Sequence, residues 1–189
     1  NNTTGAGNIG IGQFTLYDNE TGASNVAIGH YALENSTVSN NVAIGYYALK
    51  ANTTGQWNIA VGPYALDANT DGQTNCALGY QTLTANTGGD DNVAIGHEAM
   101  QSNTTGGQNV ALGRDALTSN TTASQNTAVG YLCMEDNTTG TRNVAVGYQA
   151  LKDNTTNNDN TAVGYYALAT CNGGYENTAI GRNSMASIS

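Results

Sequence analysis

The chain has 189 residues, only 10% of them charged, and its formal net charge is −9. Five Lys and Arg residues are too few for a basic surface, which argues against binding to nucleic acid or to an anionic membrane surface. No stretch approaches the roughly 20 consecutive apolar residues that span a bilayer. The single proline and the excess of Asn and Thr over Lys and Glu also disfavour long amphipathic helices.

A short unit recurs along the whole chain. The five residues at 41–45, Asn-Val-Ala-Ile-Gly, have counterparts every 17 residues, with one interval of 16. The asparagine that opens each copy defines repeat position 1, and these asparagines are Asn8, Asn25, Asn41, Asn58, Asn75, Asn92, Asn109, Asn126, Asn143, Asn160 and Asn177. A fixed period of this length indicates stacked repeats rather than a conventional globular domain. Residues 1–189 are therefore predicted to form a single array of about eleven coils.

Each unit is predicted to form one coil of an all-β, parallel β-solenoid, or β-roll. Position 2 is mostly β-branched and position 4 is aliphatic, which predicts a short strand around the Ala at position 3. Gly at position 5 allows a bend, and positions 6 to 9, ending on Leu or Met, are predicted to form a second short strand. Positions 12 to 15, usually Asn-Thr-Thr-Gly, predict a turn.

The large apolar residues at positions 2, 4 and 9 are expected to form the core, where each coil buries them against its neighbours. Stacking at about 4.8 Å per coil would give a rod roughly 50 Å long. The one-residue deletion lies between Leu33 and Asn41, in the predicted turn. Shortening a turn is expected to leave the strand register intact.

Two rows of small side chains suggest crowding. Position 3 is Ala in every copy except the first, and position 8 carries only Ala, Thr, Ser or Cys. Either the coil is very narrow inside, or another chain packs on this face; because positions 2, 4 and 9 already supply a core, we favour the second explanation. A parallel homo-oligomer, with a trimer as the favoured form, is predicted. Its predicted interface residues are Ala43, Ala60, Ala77, Ala94, Ala111, Ala128, Ala145 and Ala162.

No catalytic, cofactor or metal site is predicted, and the chain is not expected to be an enzyme. The two histidines, His30 and His97, occupy position 6 in coils four apart, roughly 19 Å by the stacking distance. They are too distant for a dyad or a shared metal. Cys76, Cys133 and Cys171 fall at different repeat positions, so no disulfide or metal-ligand set is expected.

Aromatic residues recur at positions 6 and 7. Tyr131, Tyr148 and Tyr165 fall in consecutive coils and should stack as a ladder. The favoured interpretation is that the rings cover the corner of the coil and pair across coils. The alternative is a strip that binds glycans, formed by Tyr46, Tyr47, Tyr131, Tyr148, Tyr165 and Tyr166.

The Asn-Thr-Thr turns form a second regular row. In a eukaryotic protein the sequons would be candidate glycosylation sites, at Asn52, Asn103, Asn120, Asn137 and Asn154. We favour the simpler interpretation that these are turn asparagines, whose amides stack on one another. The threonines also raise an alternative function, ice binding, although adjacent threonines in a Gly-containing turn do not make a flat Thr-x-Thr face.

Asn-Val-Ala-Ile-Gly followed by an Ala-Leu pair resembles the head repeat of trimeric autotransporter adhesins. The longer unit at 143–156 is similar to repeats of phage tail-fibre proteins. This resemblance covers the whole chain and implies a left-handed β-roll in a parallel homotrimer, outside the cell, in a virion or on a cell surface. It implies a structural fibre that holds or forms an element binding a host or surface, with cell-surface carbohydrate as a candidate partner.

Both ends of the array carry incomplete units without an atypical polar cap. The chain is therefore expected to be a segment of a longer fibre. A purely structural extracellular filament, joined head to tail through such ends, is the remaining alternative.

Overall fold

A computed structural model describes residues 2–171 and 173–188. The chain is an all-β parallel solenoid of about ten turns, and the described residues contain no helix, as predicted. The main sheet contains β1 (Ile9–Ile11), β2 (Val26–Ile28), β3 (Val42–Ile44), β4 (Ile59–Val61), β5 (Cys76–Leu78), β6 (Val93–Ile95), β7 (Val110–Leu112), β8 (Thr127–Val129), β9 (Val144–Val146), β10 (Thr161–Val163) and β12 (Thr178–Ile180). A second, two-stranded sheet pairs β11 (Thr170–Cys171) with β13 (Ser187–Ile188).

Neighbouring strands pair with equivalent repeat positions opposite each other. The 16-residue coil keeps this register: Val26 of β2 lies opposite Val42 of β3, and both occupy repeat position 2. The missing residue falls in the turn, where the carbonyl of Val38 accepts a hydrogen bond from Asn25 Nδ2 at 2.7 Å. In the preceding coil the carbonyl of Gly22 accepts the equivalent bond from Asn8. The prediction that the deletion shortens a turn without shifting the strands is confirmed.

The direction of the strand side chains reverses part of the predicted core. Alanine at position 3 is fully buried inside the coil, as at Ala43 and Ala94. Positions 2 and 4 lie on the opposite face, because successive side chains of a strand alternate between its faces. The core is a thin column of positions 3, 8 and 9, with Leu or Met at position 9 as its largest member. Position 9 is buried as predicted in the inner coils, but positions 2 and 4 are not the core.

Positions 6 to 9 form a turn, so the predicted second strand is wrong. Positions 7 and 9 have left-handed backbone: φ is 62° at Tyr47 and 50° at Leu49. Such angles are unfavourable for bulky residues. At position 9 the cost is offset because the bend directs the side chain into the core, where Leu49 is fully buried.

Glycine at position 5 is required by both backbone angle and packing. Gly45 has a φ of 140°, which residues with a Cβ rarely adopt. A Cβ added to Gly45 would lie 2.5 Å from the carbonyl oxygen of Gly62 in the next coil. The bend after each strand therefore depends on glycine wherever two coils approach this closely.

Asparagines at positions 1 and 12 form two buried rows that connect the coils. At position 1, Asn58 Oδ1 accepts the backbone N–H of Asn75 at 2.9 Å, and Asn58 Nδ2 donates to the carbonyl of Gly72 at 2.8 Å. At position 12, Asn69 Nδ2 donates to Asn52 Oδ1 at 2.9 Å and to the same Gly72 carbonyl at 3.0 Å. Both rows thus meet on one carbonyl, and their buried amides bond mostly to one another and to turn carbonyls, which links one coil to the next.

Candidate functional site

The bend after the strands carries an aromatic row, beginning with the amino-terminal aromatic cluster of Phe14, His30, Tyr31, Tyr46, Tyr47 and Tyr64. Its position-7 rings follow one another with centroids 5.0 to 5.7 Å apart. His30 stacks on Tyr46 with centroids 5.8 Å apart, and Lys50 Nζ lies 4.4 Å from the ring centroid of Tyr47. The repeat therefore places rings in contact across successive coils.

A second group, here called the arginine-capped tyrosine stack, contains Arg114, Tyr131, Tyr148, Tyr165 and Arg182 at position 6 of consecutive coils. The three tyrosines are stacked, with centroids 5.5 and 5.1 Å apart, so the predicted ladder is confirmed. The guanidinium of Arg114 lies 5.9 Å from the Tyr131 centroid, and that of Arg182 lies 5.5 Å from the Tyr165 centroid. These are cation–π distances.

The stacking decides what the tyrosines offer to a ligand. Each inner ring face is covered by a neighbouring ring, and arginines cover the ends of the stack. Tyr166 contacts Tyr148 and Tyr165 edge-on. Desolvation raises the pKa of Tyr166, and its neighbours Tyr148 and Tyr165 raise it further. Tyr131, Tyr148 and Tyr165 are still 38 to 46% exposed, so the predicted glycan strip would have to bind through ring edges and hydroxyl groups rather than through the covered ring faces.

The outward face of the main sheet carries an apolar surface, here called the outer strip, formed by positions 2 and 4 of β1–β10 and β12. Its side chains are mostly Val, Ile and Leu, with Thr at three rungs and Cys76 at one, and none is charged. Ile11 is 60% exposed, Leu78 45% and Val146 36%. Ten spacings of about 4.8 Å make the strip about 48 Å long. Contiguous apolar surfaces of this kind mark interaction sites.

The alanines predicted to form an oligomer interface lie on the other face of the same strands. The predicted interface residues are all fully buried within the single chain, so that prediction is wrong for Ala43, Ala60, Ala77, Ala94, Ala111, Ala128, Ala145 and Ala162. They offer no surface to a second chain. Their small size is explained by the first alternative, a narrow interior, in which position 3 packs against positions 8 and 9.

The sequon asparagines are also buried, which corrects the glycosylation hypothesis for the folded chain. Asn52, Asn103, Asn120, Asn137 and Asn154 are fully buried. Their amide nitrogens donate within the position-12 row; Asn103 Nδ2, for example, bonds to Asn86 Oδ1 at 2.9 Å and to the carbonyl of Gly106 at 3.0 Å. The alternative, amides stacked on one another, is the one observed. No space for a glycan exists at these nitrogens.

Most basic side chains are engaged in ion pairs. Arg142 Nε lies 2.6 Å from Asp159 Oδ1, and this hydrogen bond raises the pKa of the guanidinium and lowers that of the carboxyl. Lys152 Nζ lies 3.2 to 3.4 Å from the carboxylates of Glu135, Asp136 and Asp153. Desolvation lowers the pKa of Lys152, but these carboxylates together outweigh it and raise the pKa. The pairs leave little free positive charge for a polyanionic ligand.

The described cysteines and histidines lie in separate environments. Cys76 is half-buried on the outer strip, whereas Cys133 is buried in the core, where burial raises the pKa of its thiol to about 12. The side chain of Cys171 lies outside the described residues. The ring contacts of His30 are aromatic, and His97 lies beside Tyr80 and Glu98.

Sequence reasoning missed both the outer strip and the role of position 1. Alternation within a three-residue strand gives two possible orientations, and only the burial of Ala at position 3 shows which is adopted. The described residues contain no helix that could cross a membrane. No protein-family model, no curated protein and no solved structure matches the chain.

Proposed function

We propose that the chain is a structural segment of an extracellular or virion fibre, of the tail-fibre or adhesin type, in which parallel copies associate through the outer strip. The observation that carries this proposal is the outer strip itself. The fibre would hold or form an element that attaches to a host or surface. The left-handed sense of the coil and the trimeric state are parts of the proposal that rest on the resemblance to adhesin heads.

The size and chemistry of the outer strip favour self-association. A strip about 48 Å long and about 10 Å wide offers about 500 Å² per chain. Three such strips that meet along one axis therefore offer about 1,500 Å² of apolar surface in total. A second copy presents the same apolar strip with the same axial repeat, so parallel copies can match rung for rung along the whole sheet. The absence of charged residues on the strip removes the repulsion that like charges would cause.

Ice binding receives less support from the threonine row. At position 13, the hydroxyls of Thr70 and Thr104 donate to the carbonyls of Thr87 and Thr121 in the next coil, at 3.1 and 3.0 Å. These protons are used within the turn, which disfavours a flat array of hydroxyls that orders water. Thermal hysteresis in the purified protein would contradict this assessment.

The test of self-association uses cysteine cross-linking and mass. In a Cys76→Ser, Cys171→Ser background, Val26→Cys places a thiol near one end of the outer strip. A short bis-maleimide is expected to join chains through residue 26, and light scattering is expected to give three times the mass of one chain. Cys133 serves as an internal control, because burial and its raised pKa keep it unreactive.

Two further variants test whether the copies run parallel and whether the cross-links are specific to the outer strip. A mixture of Val26→Cys and Thr161→Cys chains, labelled differently, would form mixed 26–161 cross-links only if copies ran antiparallel. Thr54→Cys, on an exposed turn away from the strip, is the matched control and is expected to remain uncross-linked. A mass equal to one chain at micromolar concentration, without cross-links at residue 26, would refute the proposal.

A further inference from the structure

One group of metal-ligating side chains in residues 2–171 and 173–188 lies on the same bend as the aromatic row, where the amino-terminal aromatic cluster gives way to the arginine-capped tyrosine stack. His97, Glu98 and Asp115 each place one ligand atom within 4.8 Å of the other two. His97 and Glu98 occupy positions 6 and 7 of the sixth coil, and Asp115 occupies position 7 of the seventh. Acidic residues stand at position 7 only in these two copies of the repeat. The group therefore connects two coils.

The backbone holds the three side chains in a defined arrangement. The N–H of Asp115 donates to the carbonyl of His97 at 3.0 Å, which fixes the register of the two coils at this point. Glu98 and Asp115 have the same φ of 57°. The backbone therefore bends in the same way in the two coils, and the two carboxylate side chains start from equivalent points one coil apart. The ring of Tyr80 lies on the side of the preceding coil, with its centroid 5.2 Å from that of His97. The imidazole is thus supported from one side.

The distances between ligand atoms leave room for an ion. His97 Nδ1 lies 3.7 Å from Glu98 Oε2, longer than a hydrogen bond. Two ligands that are each about 2.1 Å from a metal lie at most about 4.2 Å apart, so this gap suits a shared ion. The widest separation within the group, up to 4.8 Å, closes with a small rotation of a side chain such as Glu98, which is 30% exposed.

Charge also favours a cation here. Carboxylates at the same position of adjacent coils repel each other, as like charges do when they face each other across paired strands. Arg114 Nε lies 3.0 Å from Asp115 Oδ2 and neutralises one charge, which leaves one net negative charge on the two carboxylates. The Asp115 side chain is only 13% exposed, so its charge is poorly screened by water.

We propose that His97, Glu98 and Asp115 bind a divalent transition-metal ion such as Zn²⁺. One imidazole nitrogen and two carboxylate oxygens are ligands that Zn²⁺ accepts, and the exposed side of the group leaves a fourth position for water. Because the sixth coil supplies two ligands and the seventh supplies one, the ion links neighbouring coils. Binding to the folded state alone stabilises it, so the ion strengthens the stack.

The test measures Zn²⁺ binding by calorimetry and the Zn²⁺-dependent shift of the melting temperature. The wild type is expected to bind one ion per chain and to melt at a higher temperature with Zn²⁺. His97→Asn and Asp115→Asn are expected to bind about tenfold more weakly or worse and to lose the shift. Circular dichroism without metal verifies that both variants fold.

The chain supplies a matched control in His30, which occupies the same repeat position but whose ring contacts are Phe14, Tyr31 and Tyr46. His30→Asn is expected to bind Zn²⁺ as tightly as the wild type and to show the same Zn²⁺-dependent rise in melting temperature. The proposal is overturned if Zn²⁺ produces no saturable binding, or if His30→Asn loses as much affinity as His97→Asn. An equal stabilisation by Mg²⁺, which prefers oxygen ligands, would likewise overturn it.

Discussion

A single asparagine at position 12 satisfies three hydrogen bonds with one side chain. Its NH₂ donates to the amide oxygen of the preceding coil and to a turn carbonyl, and its own oxygen accepts from the following coil. This combination of two donors and one acceptor at this length is specific to Asn. The row is interrupted at Ser36, where the Asn52 Nδ2 to Ser36 Oγ distance rises to 3.5 Å and the buried Asn19 Oδ1 has no partner.

The substitution Asn103→Asp, in the middle of this row, should strongly destabilise the folded chain. The carboxylate loses both donors and places a charge beside Asn86 Oδ1, in a fully buried site. We expect a loss of about 3 kcal/mol or more of stability at pH 7. The measurement is urea unfolding followed by circular dichroism.

The control for this substitution is Asn183→Asp, which adds the same charge at an exposed position. Its stability is expected to change by less than about 0.5 kcal/mol. Part of the Asn103→Asp loss should return at pH 3, where the carboxyl is protonated and can donate one bond. Equal effects of the two substitutions at pH 7 would contradict the role assigned to the buried row.

At the scale of the coil, the sequence predicted the strand, the turn and their order, but not which strand face is buried. Period, β-branched residues and Asn-Thr-Thr-Gly are local signals, and they were sufficient for the parallel solenoid but not for positions 6 to 9, which form a turn instead of the predicted second strand. The inward face is decided by left-handed angles at Gly45, Tyr47 and Leu49. Glycine at position 5 signals a bend, but Tyr and Leu ordinarily avoid such angles, so the sequence does not show how the chain turns at positions 7 and 9. The larger side chains at positions 2 and 4 then looked like the core.

A pair of substitutions in β6 separates the inner face from the outer one. Ala94→Val inserts methyl groups into a fully buried column, and we expect it to cost about 1–3 kcal/mol. Val93→Thr changes the outer strip, where Thr occurs naturally in β8, β10 and β12, and should cost less than about 0.5 kcal/mol. The denaturation midpoints of the two variants are compared at a protein concentration where both have the same oligomeric state. A larger loss of stability for Val93→Thr than for Ala94→Val would indicate that positions 2 and 4, and not position 3, form the core.

At the scale of the whole molecule, each strand of the main sheet pairs only with the strands of adjacent coils. Stability of such an array is approximately a sum over coils and their contacts. The candidate sites were less predictable than this architecture. The tyrosine stack follows from equal spacing, whereas the outer strip required the orientation of the strands, and the grouping of His97 with Asp115 required the geometry of adjacent bends.

Removal of one whole coil should therefore be tolerated. Deletion of residues 58–74 joins Trp57 to Asn75 and restores the repeat. The shortened chain is expected to keep the same circular dichroism per residue and to melt at a somewhat lower temperature. Deletion of residues 58–66 removes half a coil and should abolish cooperative melting, because the core positions no longer align. Similar behaviour of the two deletions would contradict the additive stack.

The direction of the hydrogen bonds between coils has a mechanical consequence. They run along the axis of the rod, so tension applied at its two ends separates coils one at a time rather than shearing the whole sheet at once. Each released coil replaces about 4.8 Å of rod with about 58 Å of extended chain. A rod of this kind would lengthen roughly twelvefold as it yields, absorbing a pull that would detach a stiff, inextensible tether.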